Sequence, residues 1–140
     1  MHSHRSILRD RYQWDASIPA GGASSQSAGV SDSAHSDLQP DFLLFVEAPA
    51  LSVTELPNGQ TITYQLLESN SSNLSSPTDT IAMGVQTGAG GVGAAAAIVA
   101  ARRTYSGKYF GLKITASATA NASGYRVPLR TALTASPGAL

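Results

Sequence analysis

From Asp41 onward, apolar and polar residues alternate in short segments divided by turn residues at intervals of roughly ten, the pattern of an all-β sandwich or barrel. Residues 42–46 (FLLFV) form an unbroken apolar run, too short for a typical helix and suited to a strand buried on both faces. A second segment covers residues 51–55, and Pro57, Asn58 and Gly59 then mark a turn. Residues 61–68 (TITYQLLE) put Ile62, Tyr64 and Leu66 on one face and Thr61, Thr63 and Gln65 on the other, as a half-buried strand does. After the polar loop 69–79, residues 80–87 resume the alternation through Ile81, Met83 and Val85.

The longest clean alternation is residues 109–120, with Phe110, Leu112, Ile114, Ala116 and Ala118 inward and Lys113, Thr115, Ser117 and Thr119 outward. Residues 121–124 turn the chain into a last strand, 125–134, where Tyr125, Val127, Leu129, Thr131 and Leu133 share a face. Pro128 has no N–H to give a ladder, so this strand belongs at a sheet edge or carries a bulge. Residues 94–103 (AAAAIVAARR) have the propensity of a helix, yet the glycines before them and the all-β surroundings favour a strand, because tertiary context overrides propensity. Six or seven strands suffice for two small antiparallel sheets packed face to face.

Residues 1–41 read differently. Gly21 opens a Ser/Ala/Gly tract that runs to Ser36 without periodicity, and such a tract offers too little apolar surface to offset the entropy of ordering it. We therefore expect an extended N-terminal arm, 1–41, on a sandwich domain, 42–140. Within the arm, Arg5, Ile7, Leu8, Arg9, Arg11, Tyr12 and Trp14 are of the types that anchor protein interfaces, and Trp14 is the sole tryptophan. The other reading of this segment is that it packs back on its own sandwich.

The chain has 140 residues, 42% of them hydrophobic, and nine acidic and nine basic side chains give zero formal charge. With no positive excess there is no general attraction to nucleic acid or to an anionic membrane, and neither is an expected partner. Cysteine is absent, which removes disulfides, thiolate metal sites and thiol nucleophiles. Residues 1–15 lack the apolar stretch of a secretory signal, and a soluble, unexported chain is expected. The N-x-S/T triplets at Asn70, Asn73 and Asn121 then read as ordinary turns.

Charge order says more than charge total. Residues 41–79 hold five acids and no base, and residues 80–140 hold six bases and no acid. Glu47, Glu55 and Glu68 on one side, with Arg102, Arg103, Arg126 and Arg130 on the other, are candidates for head-to-tail contacts between copies. Equally, acidic and basic strands that neighbour each other would pair inside one fold.

Candidate chemistry is thin. Gly88, Gly90 and Gly93 make a G-x-G-x-x-G after a predicted strand, but no Asp or Glu follows Asp79 to hold a ribose, and a flexible glycine loop is the better reading. His2, His4 and His35 all lie in the arm, where nothing orients a metal site or a nucleophile's base. The three glutamates could form an acid/base pair only if two were held about 5–10 Å apart, and strand-end charge is the simpler role. No catalysis, cofactor or metal is expected.

The order from Asp41 to Leu133, with Leu67, Glu68 and Ser69 closing one strand and KYFGLKIT (108–115) forming another, resembles the capsid cement, or head-decoration, proteins of tailed bacteriophages. The resemblance covers about two thirds of the chain. It implies a jelly-roll-like antiparallel β-sandwich, commonly trimeric, on the outer capsid surface of a virion, with the major capsid protein and copies of itself as partners. The rival reading is a carbohydrate-binding sandwich module, whose ring platform would come from Tyr64, Tyr105, Tyr109 or Tyr125.

Overall fold

A computed structural model describes residues 15–31 and 43–132, with Thr131 and Ala132 described in backbone only. Ten strands follow in chain order: β1 (Ala16–Ser17), β2 (Ser24–Gln26), β3 (Val30–Ser31), β4 (Leu43–Ala48), β5 (Thr61–Ser69), β6 (Asp79–Thr87), β7 (Ala97–Arg102), β8 (Tyr109–Ala116), β9 (Arg126–Val127) and β10 (Leu129–Ala132). Among the described residues there is no helix, and every pairing is antiparallel. The larger sheet runs β2-β8-β5-β6 with β3 also on β8, the smaller runs β10-β4-β7, and β1 pairs with β9. The protein is an all-β antiparallel sandwich.

The two inner faces meet where the alternation places apolar residues. Ile62, Tyr64, Leu66, Phe110, Leu112 and Ile114 from the larger sheet are buried against Leu44, Val46, Ala48 and Val99 from the smaller. Small residues set how closely the sheets approach at one side: a Cβ on Gly84 of β6 would lie 2.4 Å from Cγ1 of Val99 on β7. Residues 97–102 are a strand, so context does override the helical propensity of this alanine-rich segment.

Several expected faces differ. In β4, Leu44, Val46 and Ala48 are buried, Glu47 is exposed, and Leu43 and Phe45 are half-buried, because no layer among the described residues covers the outer face. Residues 51–55 form a turn after a single bridge from Leu51 to Ala94. In β6 the partner of Tyr64 is Gly84 and that of Gln65 is Ala82, so Met83 is the extra residue of a bulge. The bulge inverts the alternation beyond it, exposing Val85 and burying Gln86, whose amide donates to the carbonyls of Pro49 (2.7 Å) and Ala95 (3.1 Å) while its oxygen accepts from Tyr64 (2.8 Å). β8 stops at Ala116, and Ala118 is exposed in the turn that follows. Pro128 splits the last strand as its missing N–H requires: β9 pairs with β1 and β10 takes the edge of the smaller sheet. Leu133 and Thr134 lie outside the described residues.

Residues 15–31, assigned by composition to the arm, are part of the sheets. Ser24–Gln26 pairs with β8, and Ile18 and Val30 are buried. Hydrogen bonds hold the segment beside these apolar side chains: Ser27 N–H donates to Leu112 O (2.9 Å), and Ser27 Oγ accepts from Leu112 N–H (2.9 Å). Glycine permits the contact, since a Cβ on Gly29 would meet Ser72 O at 2.4 Å. The remainder of the expected arm, 1–14 and 32–41, is outside the described residues.

The closeness of β6 to β7 is directly testable. Gly84→Ala should cost about 1–3 kcal/mol in urea unfolding through overpacking. Combining it with Val99→Ala should recover at least about half of that loss, because the two positions share one contact. A single variant as stable as the parent would contradict the packing.

Candidate functional site

Extending the inward face of β5 two residues beyond Leu66 reaches Glu68, at the end of the sandwich where the chain crosses from β7 in the smaller sheet to β8 in the larger. Its side chain has no exposure, and the crossing segment wraps around it. Oε2 accepts from the N–H groups of Thr104 (2.7 Å) and Tyr105 (3.2 Å), and Oε1 from those of Ser106 (2.7 Å) and Gly107 (3.3 Å). Ser106 Oγ adds a contact at 3.3 Å. Four successive amides turned toward one point form a concave anion nest, here filled by the protein's own carboxylate.

Arg103 completes the arrangement. Its Nε lies 3.3 Å from Glu68 Oε2 and its Nη2 donates to Gly107 O at 2.8 Å. The guanidinium sits between two rings, 4.3 Å from the centroid of Tyr105 and 4.6 Å from that of Phe110. Phe110 is buried and Tyr105 exposed, so the stack runs outward as Phe110, Arg103, Tyr105. Burial pulls the Arg103 guanidinium below its ordinary value. To point its N–H at Glu68, Tyr105 takes φ +60, a left-handed conformation that costs a bulky L residue about 1–2 kcal/mol. The same turn holds its ring 44% exposed.

Polar side chains are linked to one another at this end of the sandwich. Thr104 Oγ1 donates to Asp79 Oδ2 at 2.7 Å, Thr78 Oγ1 and Ser106 Oγ are 3.0 Å apart, and Asp79 Oδ1 accepts from Thr80 N–H at 2.9 Å. Thr78, Thr80, Thr104 and Ser106 are all exposed.

A second surface lies along β6 and β7, each an edge strand among the described residues. Val85 and Ile98 are neighbours in sequence of the Gly84–Val99 contact and are 55% and 70% exposed, with Val92 in the connecting loop exposed as well. Ala82, Ala95, Ala96 and Ala97 add exposed methyl groups. From Thr80 to Thr87 and from Ala97 to Ala101 there is neither a charge nor a proline. Edges are ordinarily guarded by such residues, and an unguarded one is a template for another chain.

The charged candidates are distributed through the fold. Glu68 and Arg103 form the buried pair just described. Arg130 Nε lies 3.4 Å from Glu47 Oε1 across the outer face of the smaller sheet, and Arg126 binds Asp15 (Nε 2.7 Å, Nη2 2.6 Å from Oδ2), fastening β9 to the start of β1. Glu55 accepts from Ser52 N–H (2.9 Å) and from the Tyr125 hydroxyl (2.8 Å). These bonds hold its carboxyl below the usual glutamate value and raise the Tyr125 phenol. Arg102 is exposed at the end of β7. Acidic and basic strands are thus neighbours that pair within the chain. Arg5, Ile7, Leu8, Arg9, Arg11, Tyr12, Trp14 and the three histidines lie outside the described residues.

The glycine loop is closed on itself. Gly88 N–H donates to Gln60 O, Ala89 N–H to Gly93 O and Gly90 N–H to Asn58 Oδ1. A Cβ on Gly88 would lie 2.1 Å from Pro57 O, and one on Gly93 2.1 Å from Leu51 O. These glycines serve backbone approach, and the amides of Gly88, Ala89, Gly90 and Val92 are already bonded within the loop and its neighbours. No cluster of three His, Asp or Glu side chains able to hold a metal occurs among the described residues.

Two predictions follow from the charges. Glu68→Gln should cost about 3–5 kcal/mol, the penalty for stranding one partner of a buried pair, and amide exchange at 104–107 should quicken. An unchanged unfolding midpoint would contradict the nest. Because the Glu55 carboxyl is lowered from 4.5 in the fold, its contribution to stability is present above that value and lost as pH falls through the lowered one. Glu55→Gln should therefore flatten the acid limb of a stability–pH curve, and an identical limb would contradict it.

No protein-family model, no curated protein and no solved structure matches this chain, and the functional reading rests on the geometry above.

Proposed function

We propose that the protein is a structural virion protein without catalytic activity, a capsid cement or decoration protein that binds and stabilises the assembled lattice of a tailed phage's major capsid protein from its outer surface. The observation that carries this reading is the pair of adjacent, unguarded edge strands, β6 and β7, with Val85, Val92 and Ile98 turned outward. Exposed apolar side chains on strands with a free edge mark a site for another protein. A ligand that binds only the assembled shell adds to its stability by mass action, and weak contacts repeated by symmetry multiply through avidity.

In this reading the sandwich is jelly-roll-like and acts as a homo-oligomer, most simply a trimer, whose copies share the lattice site. Arg5, Ile7, Leu8, Arg9, Arg11, Tyr12 and Trp14 supply a second contact, reaching from Asp15, which Arg126 fixes to the sandwich.

Co-sedimentation with assembled, undecorated capsids tests the proposal. The parent protein should pellet with shells and not with free capsid subunits. Val85→Lys with Ile98→Lys should keep the fold and weaken binding by roughly tenfold or more, as loss of two apolar anchors implies. Deletion of residues 1–14 should also weaken binding while leaving the unfolding transition in place. A parent that ignores assembled shells, or a double variant that binds them as well as the parent does, would overturn the reading.

A further inference from the structure

Asn58 is the one asparagine of the sequence that precedes a glycine, since Asn70, Asn73 and Asn121 precede Ser71, Leu74 and Ala122. That pair of residues has a chemistry of its own. The backbone nitrogen of the following residue can attack the asparagine carboxamide, and glycine, having no Cβ, obstructs the attack least. Asn58 and Gly59 are exposed in a turn closed by a bond from Gln60 N–H to Pro57 O (3.0 Å), with Gly59 at φ +80.

Both groups that must react are held by the glycine loop between β6 and β7. The nucleophile, Gly59 N, donates its proton to Gly88 O at 2.9 Å, and Gly88 N–H returns a bond to Gln60 O at 2.8 Å. The electrophile, the Asn58 carboxamide, accepts at Oδ1 from Gly90 N–H at 2.8 Å, a bond that only the oxygen end of the amide can make. Gly88 lies so close to the turn that a Cβ there would meet Pro57 O at 2.1 Å. Loss of the Gly59 proton and rotation of Asn58 toward Gly59 N both require the loop to lift from the turn, which is a local opening of the fold.

We propose that Asn58 is a deamidation site gated by this loop, inert while residues 88–93 are closed on the turn and converted when they open. In the open state Gly59 N bonds to Asn58 Cγ, the Cγ–Nδ2 bond breaks, and Nδ2 leaves as ammonia with the proton that Gly59 N gives up through solvent. Water then adds to either carbonyl of the five-membered imide and reopens it, giving aspartate or isoaspartate. The two products act differently on the loop. Aspartate keeps an acceptor oxygen at the place of Oδ1, so Gly90 N–H retains its partner. Isoaspartate adds a methylene to the main chain between Pro57 and Gly59, which displaces Gly59 N–H from Gly88 O and stops the loop from closing again. Conversion is therefore one-way, and it acts on the connection between β6 and β7. The site stands independently of the capsid reading.

The test follows the full chain in mildly alkaline buffer, folded and in concentrated urea. Cleavage after Glu55 and Glu68 releases residues 56–68, in which mass spectrometry detects the change from amide to acid and chromatography separates aspartate from isoaspartate. Asn58 should convert in urea, and about tenfold or more slowly in the folded protein, because modification of an open state tracks the population of that state. Gly90→Ala tests the gate without altering Asn58 or Gly59: a Cβ at position 90 meets no described atom within 4 Å, but φ +53 disfavours an L residue. This variant should keep its unfolding transition and convert severalfold faster than the folded parent. The isoaspartate fraction should show quickened amide exchange at Gly59, Gly88 and Gly90, whereas Asn58→Asp should exchange there as slowly as the parent. Conversion as fast when folded as in urea, no conversion in either state, a Gly90→Ala rate equal to that of the parent, or isoaspartate protein with unchanged exchange would each overturn the gate.

Discussion

A carboxylate taken out of water must find its hydrogen bonds inside the protein, and in this chain Glu68 obtains them from four consecutive backbone amides and one arginine. Much else depends on that requirement. It dictates the path of the chain between the two sheets, turns Tyr105 into a left-handed conformation, and aligns the start of β8 with the end of β5, where Glu68 pairs with Phe110. A buried ion pair is not a strong source of stability in general, but it penalises alternative arrangements that leave a charge stranded. In a domain whose core is modest, this makes one end of the sandwich specific where apolar packing alone would be permissive.

The opposite economy governs β6 and β7. From Thr80 to Thr87 and from Ala97 to Ala101 the chain spends no charge and no proline, and the closeness of Gly84 to Val99 brings the two sheet edges together. One end of the sandwich is therefore held by a buried ion pair, and along one side β6 and β7 are both edge strands among the described residues.

Much of the fold was legible in the sequence because alternation is a direct consequence of strand geometry. Residues 61–66 and 109–116 were read correctly, the proline at 128 announced an edge, and the all-β surroundings decided residues 97–102. The departures have local causes. The bulge at Met83 adds one residue to β6, and no pattern in 80–87 signals it, so Val85 was expected inward. The integration of 15–31 rests on backbone hydrogen bonds, on glycines that permit close approach, and on Ala16, Ile18 and Val30, buried apolar side chains spaced too irregularly to form a periodic pattern. By residue type Glu68 reads as a surface charge, yet it continues the face of Ile62, Tyr64 and Leu66, and that inward parity is the available signal. Its four amide partners lie more than thirty residues away and are backbone groups, which composition does not reveal.

Hydrogen exchange of the protein with and without assembled capsid shells tests the central claim most directly, because amides on the free sides of β6 and β7 are open to solvent only while those edges lack a partner. The account predicts slowed exchange confined to residues 80–102 on addition of shells, with the Glu68 nest protected equally in both states. Protection appearing instead along β2 and β3, with β6 and β7 unchanged, would contradict it.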